Sequence, residues 1–426
     1  MMQILFILLS LFLFSCKDDS PTSHEEPTPL KLYVCDQGSD RVVILDASTD
    51  DLEQITAIDI DLSSDVMMET PHFVAIDEEN GYWFVSTVDA GYIGMYDLEE
   101  DTLIAKAFID DSPALLAADT NSKLLYVSKM MEMGGDNLDP YNQLEVLSYS
   151  SDITLVIQDP IILNTIEGVY DFPQPHAISL DTETSMGTSL ITATMTNDWL
   201  ARVTGSGNVL SSPTKKPFNA YTCNGENYIS LNDCANNCNC GDNCENDCIS
   251  NEEQGSYVSQ HKLFPLEVTQ KDDYIFFSCR GGSEIKGQVQ SWSLTSLVQS
   301  DVYEFETYSR PWHITSSPVN SKIYVVLSGT EEVNSAGLAC LSYTDSGELS
   351  LDWETINSSF DTLHGVTVSA DGSRIYVSSR GDGSIHVFDS SGNLLNTIDN
   401  VGMMMNGGDG GMSMGTLAGI AISQVQ

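Results

Sequence analysis

Residues 363–389, LHGVTVSADGSRIYVSSRGDGSIHVFD, restrict the fold more than any other part of the chain. VTVS alternates apolar and polar residues, ADG makes a tight turn, and RIYVSS is β-branched and aromatic. RGDG turns again and SIHVFD alternates out, so three short strands follow one another with only turns between them. A fourth strand is expected at NLLNTID, after the turn SSGN. Four strands in about 40 residues, copied along a chain, specify the blade of a β-propeller. The tripeptide RGD at 380–382 reads as a blade turn and not as an adhesion motif.

Weaker copies occur throughout. KLYVCDQGSDRVVILD (31–46) supplies the second and third strands of a blade but no first strand. The missing strand stands at the other end of the sequence, where TLAGIAIS (416–423) parallels TLHGVTVS (362–369) position for position. The C-terminal strand is therefore expected to open the blade that the N-terminal segment continues, which removes exposed sheet edges. Further blades begin at 71, 112, 174, 264 and 310, and counting the split blade once gives seven. The fold class is all-β, a seven-bladed propeller over 31–426, with a cysteine-rich insertion at 221–260 between blades four and five.

SADGSRIYVSSRGDGSIHVFD, DQGSDRVVILD and the PHxI strand openings resemble the YVTN-repeat, or lactonase-like, seven-bladed propellers. The similarity covers most of 31–426 and is strongest in blades one, two, six and seven. It implies an architecture, since such repeats serve many different jobs.

The first thirty residues read as an address. An apolar run at 4–14 is too short to span a bilayer and leads into LFSC at 13–16. This resembles a bacterial lipoprotein signal (1–15) with lipid on Cys16, although MMQ lacks the usual basic residue. KDDSPTSHEEPTP then reads as a flexible acidic tether (16–30). The expected location is the envelope of a Gram-negative bacterium, anchored by lipid at the outer membrane or cell surface. With 17 basic residues against 62 acidic ones, the net charge of −45 leaves nothing to neutralise phosphates, so nucleic acid is excluded as a partner. A monomer is expected. DNLDPYN (136–142) and NGGDGG (406–411) carry oxygens that suit calcium, though neither is an EF-hand loop.

In such a propeller the loops between blades and those between second and third strands share one face, the top. Met67, Met68, Met403, Met404, Met405, Met412 and Met414 fall in inter-blade loops, and Met130, Met131, Met133 and Met195 at second-to-third-strand loops. His72, His176 and His364 share one position near the start of a first strand, where blade six has Trp312 with His313 one residue on. Three of seven is too few for a histidine-lined ring, but thioether and imidazole together suit copper, with His72, His364 and the methionines of 67–68 and 403–414 as candidate ligands. The alternative is an adaptable contact surface for a protein partner.

Arg280, Arg310 and Arg380, half of the six arginines, fall on the same face. Beside His176 they form a candidate site for an anionic small molecule, a carboxylate or phosphate. Blade six, RPWHITSSPVNSKIYVV followed by EEVNSAGLACLSYTDSGELS, is similar to the His-then-Glu segment of lactonase-family propellers. That resemblance implies His313 with Glu331 or Glu332 as acid–base groups of a hydrolase. Binding module, copper protein and hydrolase thus remain three readings of one face, the first being preferred.

Cys223, Cys234, Cys238, Cys240, Cys244 and Cys248 lie among almost no apolar residues. Outside the cytoplasm they read first as three disulfides of open connectivity, and second as a thiolate metal cluster. Cys35, Cys279 and Cys340 lie in strands and are expected to be buried small hydrophobes.

Overall fold

The computed structural model describes residues 30–64, 68–110, 112–129, 143–150, 154–163, 174–185, 187–195, 199–206, 209–217, 221–223, 226–228, 249–250, 263–282, 285–306, 309–329, 336–402 and 416–423. The signal, Cys16 and the tether before Leu30 lie outside these residues. So do Met67, the methionines of 403–414, Glu331, Glu332, both calcium candidates, and the insertion cysteines from Cys234 to Cys248.

Seven antiparallel sheets of four strands are the blades, with a short extra strand, Ile161–Ile162, on the third. Strand order within each blade follows the chain, as the short turns of the 363–389 repeat require. The exception is the closing blade, where Leu417–Ile422 pairs antiparallel with Lys31–Asp36 in the register Leu32↔Ile422 and Val34↔Ile420. Within the insertion, the strands Tyr221–Cys223, Glu226–Tyr228 and Ile249–Ser250 make a small sheet of their own.

Seven apolar clusters among the described residues each lie between two neighbouring blades. Tyr33, Trp83 and Tyr96 join blades one and two, for example, and Val43, Tyr376 and Val387 join one and seven. The alternating second and third strands bury both faces because each blade stacks on two others, which is why their sequences run IYVSS and IHVF with few polar breaks. Cys35, Cys279 and Cys340 are buried in this core.

The innermost strands are Leu417–Ile422, Pro71–Asp77, Pro113–Asp119, Pro175–Thr184, Pro265–Lys271, Pro311–Ser316 and Leu363–Val368. Every one of them is bulged at its top end. In blade two, for instance, the step from Pro71 to Val74 spans the partner step from Thr87 to Val85, three residues against two. The same irregularity falls near the top of the other six. A bulge re-aims side chains and leaves backbone groups unpaired. Where the second strand reads VS or FS near its end, a buried serine satisfies those groups. Ser378 Oγ accepts from Gly365 N at 2.8 Å and donates to the Ala418 carbonyl of the next blade at 2.7 Å. Ser86 does the same between Phe73 N and the Ala114 carbonyl. The repeated serine is therefore a clamp between blades.

Candidate functional site

Because of the bulge, the second and third residues of an inner strand both turn toward the axis at the top of the channel. Second-position residues include His72, His176, Trp312 and His364; third-position residues include Phe73, Glu267 and His313. The structure thus gathers four histidines, where alignment by a single position finds three. His313 joins from the third position because the bulge brings it to the same level. The His313 and His364 rings stand 4.6 Å apart and those of His72 and His364 5.9 Å apart. Trp312 packs on His364 at 5.6 Å and Phe73 faces His313 at 6.2 Å. All four imidazoles are buried.

Their nitrogens are committed differently. The Gln37 amide donates to His72 Nδ1 at 3.0 Å, which places that ring's proton on Nε2. His176 Nδ1 donates to the Leu266 carbonyl at 2.8 Å. Blade four has Ala193 at the clamp position, and the imidazole takes over the serine's bond to the next blade. His313 Nδ1 lies 3.3 Å from Glu267 Oε2, which also accepts from Ile314 N at 2.9 Å. His364 Nδ1 is buried with no hydrogen-bond partner among the described residues.

Burial sets the charge of this layer. Loss of hydration pushes His313 down to about 3, with the His176 imidazole adding to the shift. It drives His72 and His364 well below the ordinary histidine value, and lowers His176 too. Burial pushes Glu267 up to about 8 against the pull of its bond from Ile314 N. Near neutral pH the carboxyl holds its proton and the four rings are uncharged.

Above this neutral layer sit the arginines. Arg280 and Arg380 each directly follow a second strand, at the position where blade one has Gln37, while Arg310 precedes Pro311 with φ at +52°. Arg280 lies over the Phe264 ring at 4.7 Å. The other three arginines are engaged, Arg41 with Asp36, Arg374 with Asp50, and Arg202 with the Leu294 and Thr295 carbonyls. Lys129 at the top of blade three is likewise paired with Glu145 at 2.8 Å. Among the described residues no hydrogen bond or ion pair holds the guanidinium of Arg280, Arg310 or Arg380. Burial lowers the half-buried Arg280 and Arg380, and Arg310 adds its repulsion to Arg280.

Glu267 was not legible as a site residue. Its one signal is an acid among the apolar residues that open the strand PLEVTQK. Among the described residues it is the carboxylate beside His313. His72 and His364 are neighbours as the copper reading requires, and Met68 is half-buried, yet among the described residues no three histidine, cysteine or acidic side chains are placed to share a metal ion. His386, by contrast, is a blade-core residue bonded to Thr397 and packed on Phe360. Below the polar layer the channel opens into a cavity of about 350 Å³ lined by the inner strands of all seven blades, including Ile178, Val268, Ile314 and Val366.

No protein-family model matches the chain, and no curated protein matches it in sequence. Solved structures do match in shape. A candidate 6-phosphogluconolactonase from Bacteroides fragilis aligns with TM-score 0.60 at 12% identity, over 95% of this chain and 100% of that one. A protein from Lactobacillus plantarum aligns with TM-score 0.61 at 13% identity, over 93% and 100%. A chain of the mitotic checkpoint complex aligns with TM-score 0.52 at 10% identity, over 88% and 96%. Propellers serve both enzymes and protein assemblies, so at these identities the likeness defines shape alone. The chain is a seven-bladed β-propeller.

Proposed function

We propose that this chain is an exported, lipid-anchored binding protein that takes an anionic small molecule at the top of its channel. The observation that carries this reading is the set Arg280, Arg310 and Arg380, which lack a carboxylate partner among the described residues of a chain with 62 acids. Two of them are partly desolvated, and a guanidinium held in that state gains most from a bidentate carboxylate or phosphate. Beneath them the neutral imidazoles and the Glu267 carboxyl offer donors and acceptors at fixed points, which suits a ligand bearing hydroxyls. The name of the Bacteroides fragilis neighbour points to the same class, phosphorylated sugar acids and their lactones. Calorimetric titration of the purified chain with 6-phosphogluconate, D-gluconate and sulfate tests this. Saturable binding that is weakened in Arg380→Gln is expected, and no heat with any of the three would remove the reading.

A second reading, hydrolysis of a lactone, is favoured by the Glu267–His313 pair. A carboxyl that keeps its proton near neutral pH beside an uncharged imidazole with one free nitrogen is an acid–base couple. Turnover of 6-phosphogluconolactone abolished by Glu267→Gln would establish it. Binding of 6-phosphogluconate without turnover would leave the chain a receptor.

A further inference from the structure

We propose that the cavity below the histidine layer is a second binding site, for one neutral sugar of pyranose size entering from the bottom face. This goes beyond the anion-binding reading and does not rest on it. The two walls of the lower channel point to it. At the fifth position of the inner strands, below the bulge, blades four to seven line the cavity with Ser179, Thr269, Thr315 and Thr367, all half-buried. At the same position blades one, two and three have Ala421, Ala75 and Ala117. Hydroxyls therefore occupy one unbroken arc of the wall and methyl groups the other.

The polar arc is largely uncommitted. Thr269 Oγ1 donates to Ser316 Oγ at 3.3 Å, and Ser179 Oγ accepts from the Gln270 amide at 3.3 Å. The hydroxyls of Thr315 and Thr367 have no hydrogen-bond partner among the described residues. Glu267 stands above them at the roof of the same cavity and is only 7% exposed. Its Oε2 belongs to the histidine layer, bonded by Ile314 N and facing His313, whereas no group among the described residues bonds Oε1. A carboxyl oxygen serves a sugar hydroxyl in either protonation state, as acceptor or as donor. Phe73 of blade two, three blades away in a ring of seven, lines the roof opposite Glu267.

A pyranose is divided in the same way. Its hydroxyls stand round the edge and its C–H face packs on an aromatic ring, so one edge suits the hydroxyl arc and one face suits Phe73 and the alanines. The cavity of about 350 Å³ is at the small end of ligand sites, which suits one sugar unit and not a chain of them. No lysine, arginine or aspartate is among its lining residues, so a charged sugar would be buried without a counter-charge. The buried imidazoles close the cavity above, which separates it from the arginines and leaves the bottom face as its entrance.

Saturation-transfer NMR of the purified chain with D-glucose, D-galactose and D-xylose in turn tests this. Transfer to the ring C–H protons that saturates with concentration is expected for at least one of the three. The double variant Thr315→Val/Thr367→Val keeps the side-chain shapes and removes two hydroxyls that bond nothing. Its urea midpoint is expected not to fall, and its affinity for the sugar to drop about tenfold. Thr315→Ser/Thr367→Ser keeps the hydroxyls and should bind like the wild type. Binding undiminished in the valine variant overturns the proposal. So does a sugar that sulfate displaces from the wild type or that Arg380→Gln releases, because it then sits at the top of the channel. Absence of transfer to all three sugars overturns it as well, and sulfate binding in the same sample then leaves the anion reading standing. Sugar binding without sulfate binding supports this site and removes the anion reading alone.

Discussion

The upper and lower halves of the channel are built from the same seven strands and differ in almost every property. Below the bulges the strands pair regularly, apart from a second irregularity between Asp181 and Thr184 in blade four, and present mostly Ile, Val, Leu, Ala and Thr to a cavity of about 350 Å³. Above them, within two residues of each strand's start, stand four histidines and a glutamic acid, all buried. The bulge is the device that separates the two. It frees two consecutive side chains from the pleat, and in doing so exposes backbone groups that the blade must satisfy. Scaffold and site are thus one element, and the cost of building the site is met by clamps such as Ser378.

The sharpest way to break this division is to fill the space the bulges leave. At the third position blades seven and one have Gly365 and Gly419. A Cβ on Gly419 would lie 2.6 Å from the His72 carbonyl and 2.8 Å from Phe73 Cα, and neither backbone atom can yield. Gly419→Val is expected to cost about 3 kcal/mol, read as a lower urea midpoint with an unchanged slope. An equally large valine effect at Ala421, one turn of the pleat lower, would mean the upper half is no tighter than the lower. Ser378→Ala comes next. It strands Gly365 N and the Ala418 carbonyl, for about 2 kcal/mol. Ser378→Cys should cost less, since blade one has Cys35 at the same place.

The lower half and the ring were readable in sequence, and the upper half only in part. IYVSS, IHVF and their copies state a period of two and a repeated four-strand unit, and the parallel between TLHGVTVS and TLAGIAIS shows how the ring closes. Periodicity cannot show that two residues of one strand point the same way, so His313 is separated from His72 and His364, and Glu267 is hidden inside PLEVTQK. The arginines are legible because they are rare. What makes them informative, the lack of an acid paired with each among the described residues, is a property of three dimensions. The serine of YVSS likewise reads as a strand residue until the bulge it clamps is seen.

Acid separates the halves by a third route, since the lower cavity holds no histidine among its lining residues. A histidine whose folded value lies below its ordinary value of about 6.5 destabilises the fold as pH falls through that range, because the unfolded chain takes up protons first. Each of the four contributes up to about 1.4 kcal/mol per pH unit, between 6.5 and its own depressed value. His364→Asn is expected to flatten the stability–pH curve by that amount below pH 6.5, whatever constant change it makes above. Other titrating groups cancel in the difference between wild type and variant. Parallel curves would mean that His364 is hydrated and that the upper half is not closed to water.

The smallest effect discriminates within the site. Arg310 is exposed and Arg380 is half-buried against the histidine layer, so the same loss of charge should count differently. An exposed rim charge acts through the solvent and is screened by salt, whereas a desolvated one holds the ligand directly. Arg380→Gln is expected to weaken gluconate or sulfate binding about tenfold, with the loss nearly independent of ionic strength. Arg310→Gln should cost about twofold at low salt and almost nothing at about 0.5 M, where the screening length is only a few ångströms. Calorimetry at two salt concentrations measures both. If the two variants lose the same factor and share the same salt dependence, the ligand stays at the rim and the buried layer beneath is scaffold. If only Arg380 matters, the anion reaches down to the neutral imidazoles, and the bulged half of each strand is where binding happens.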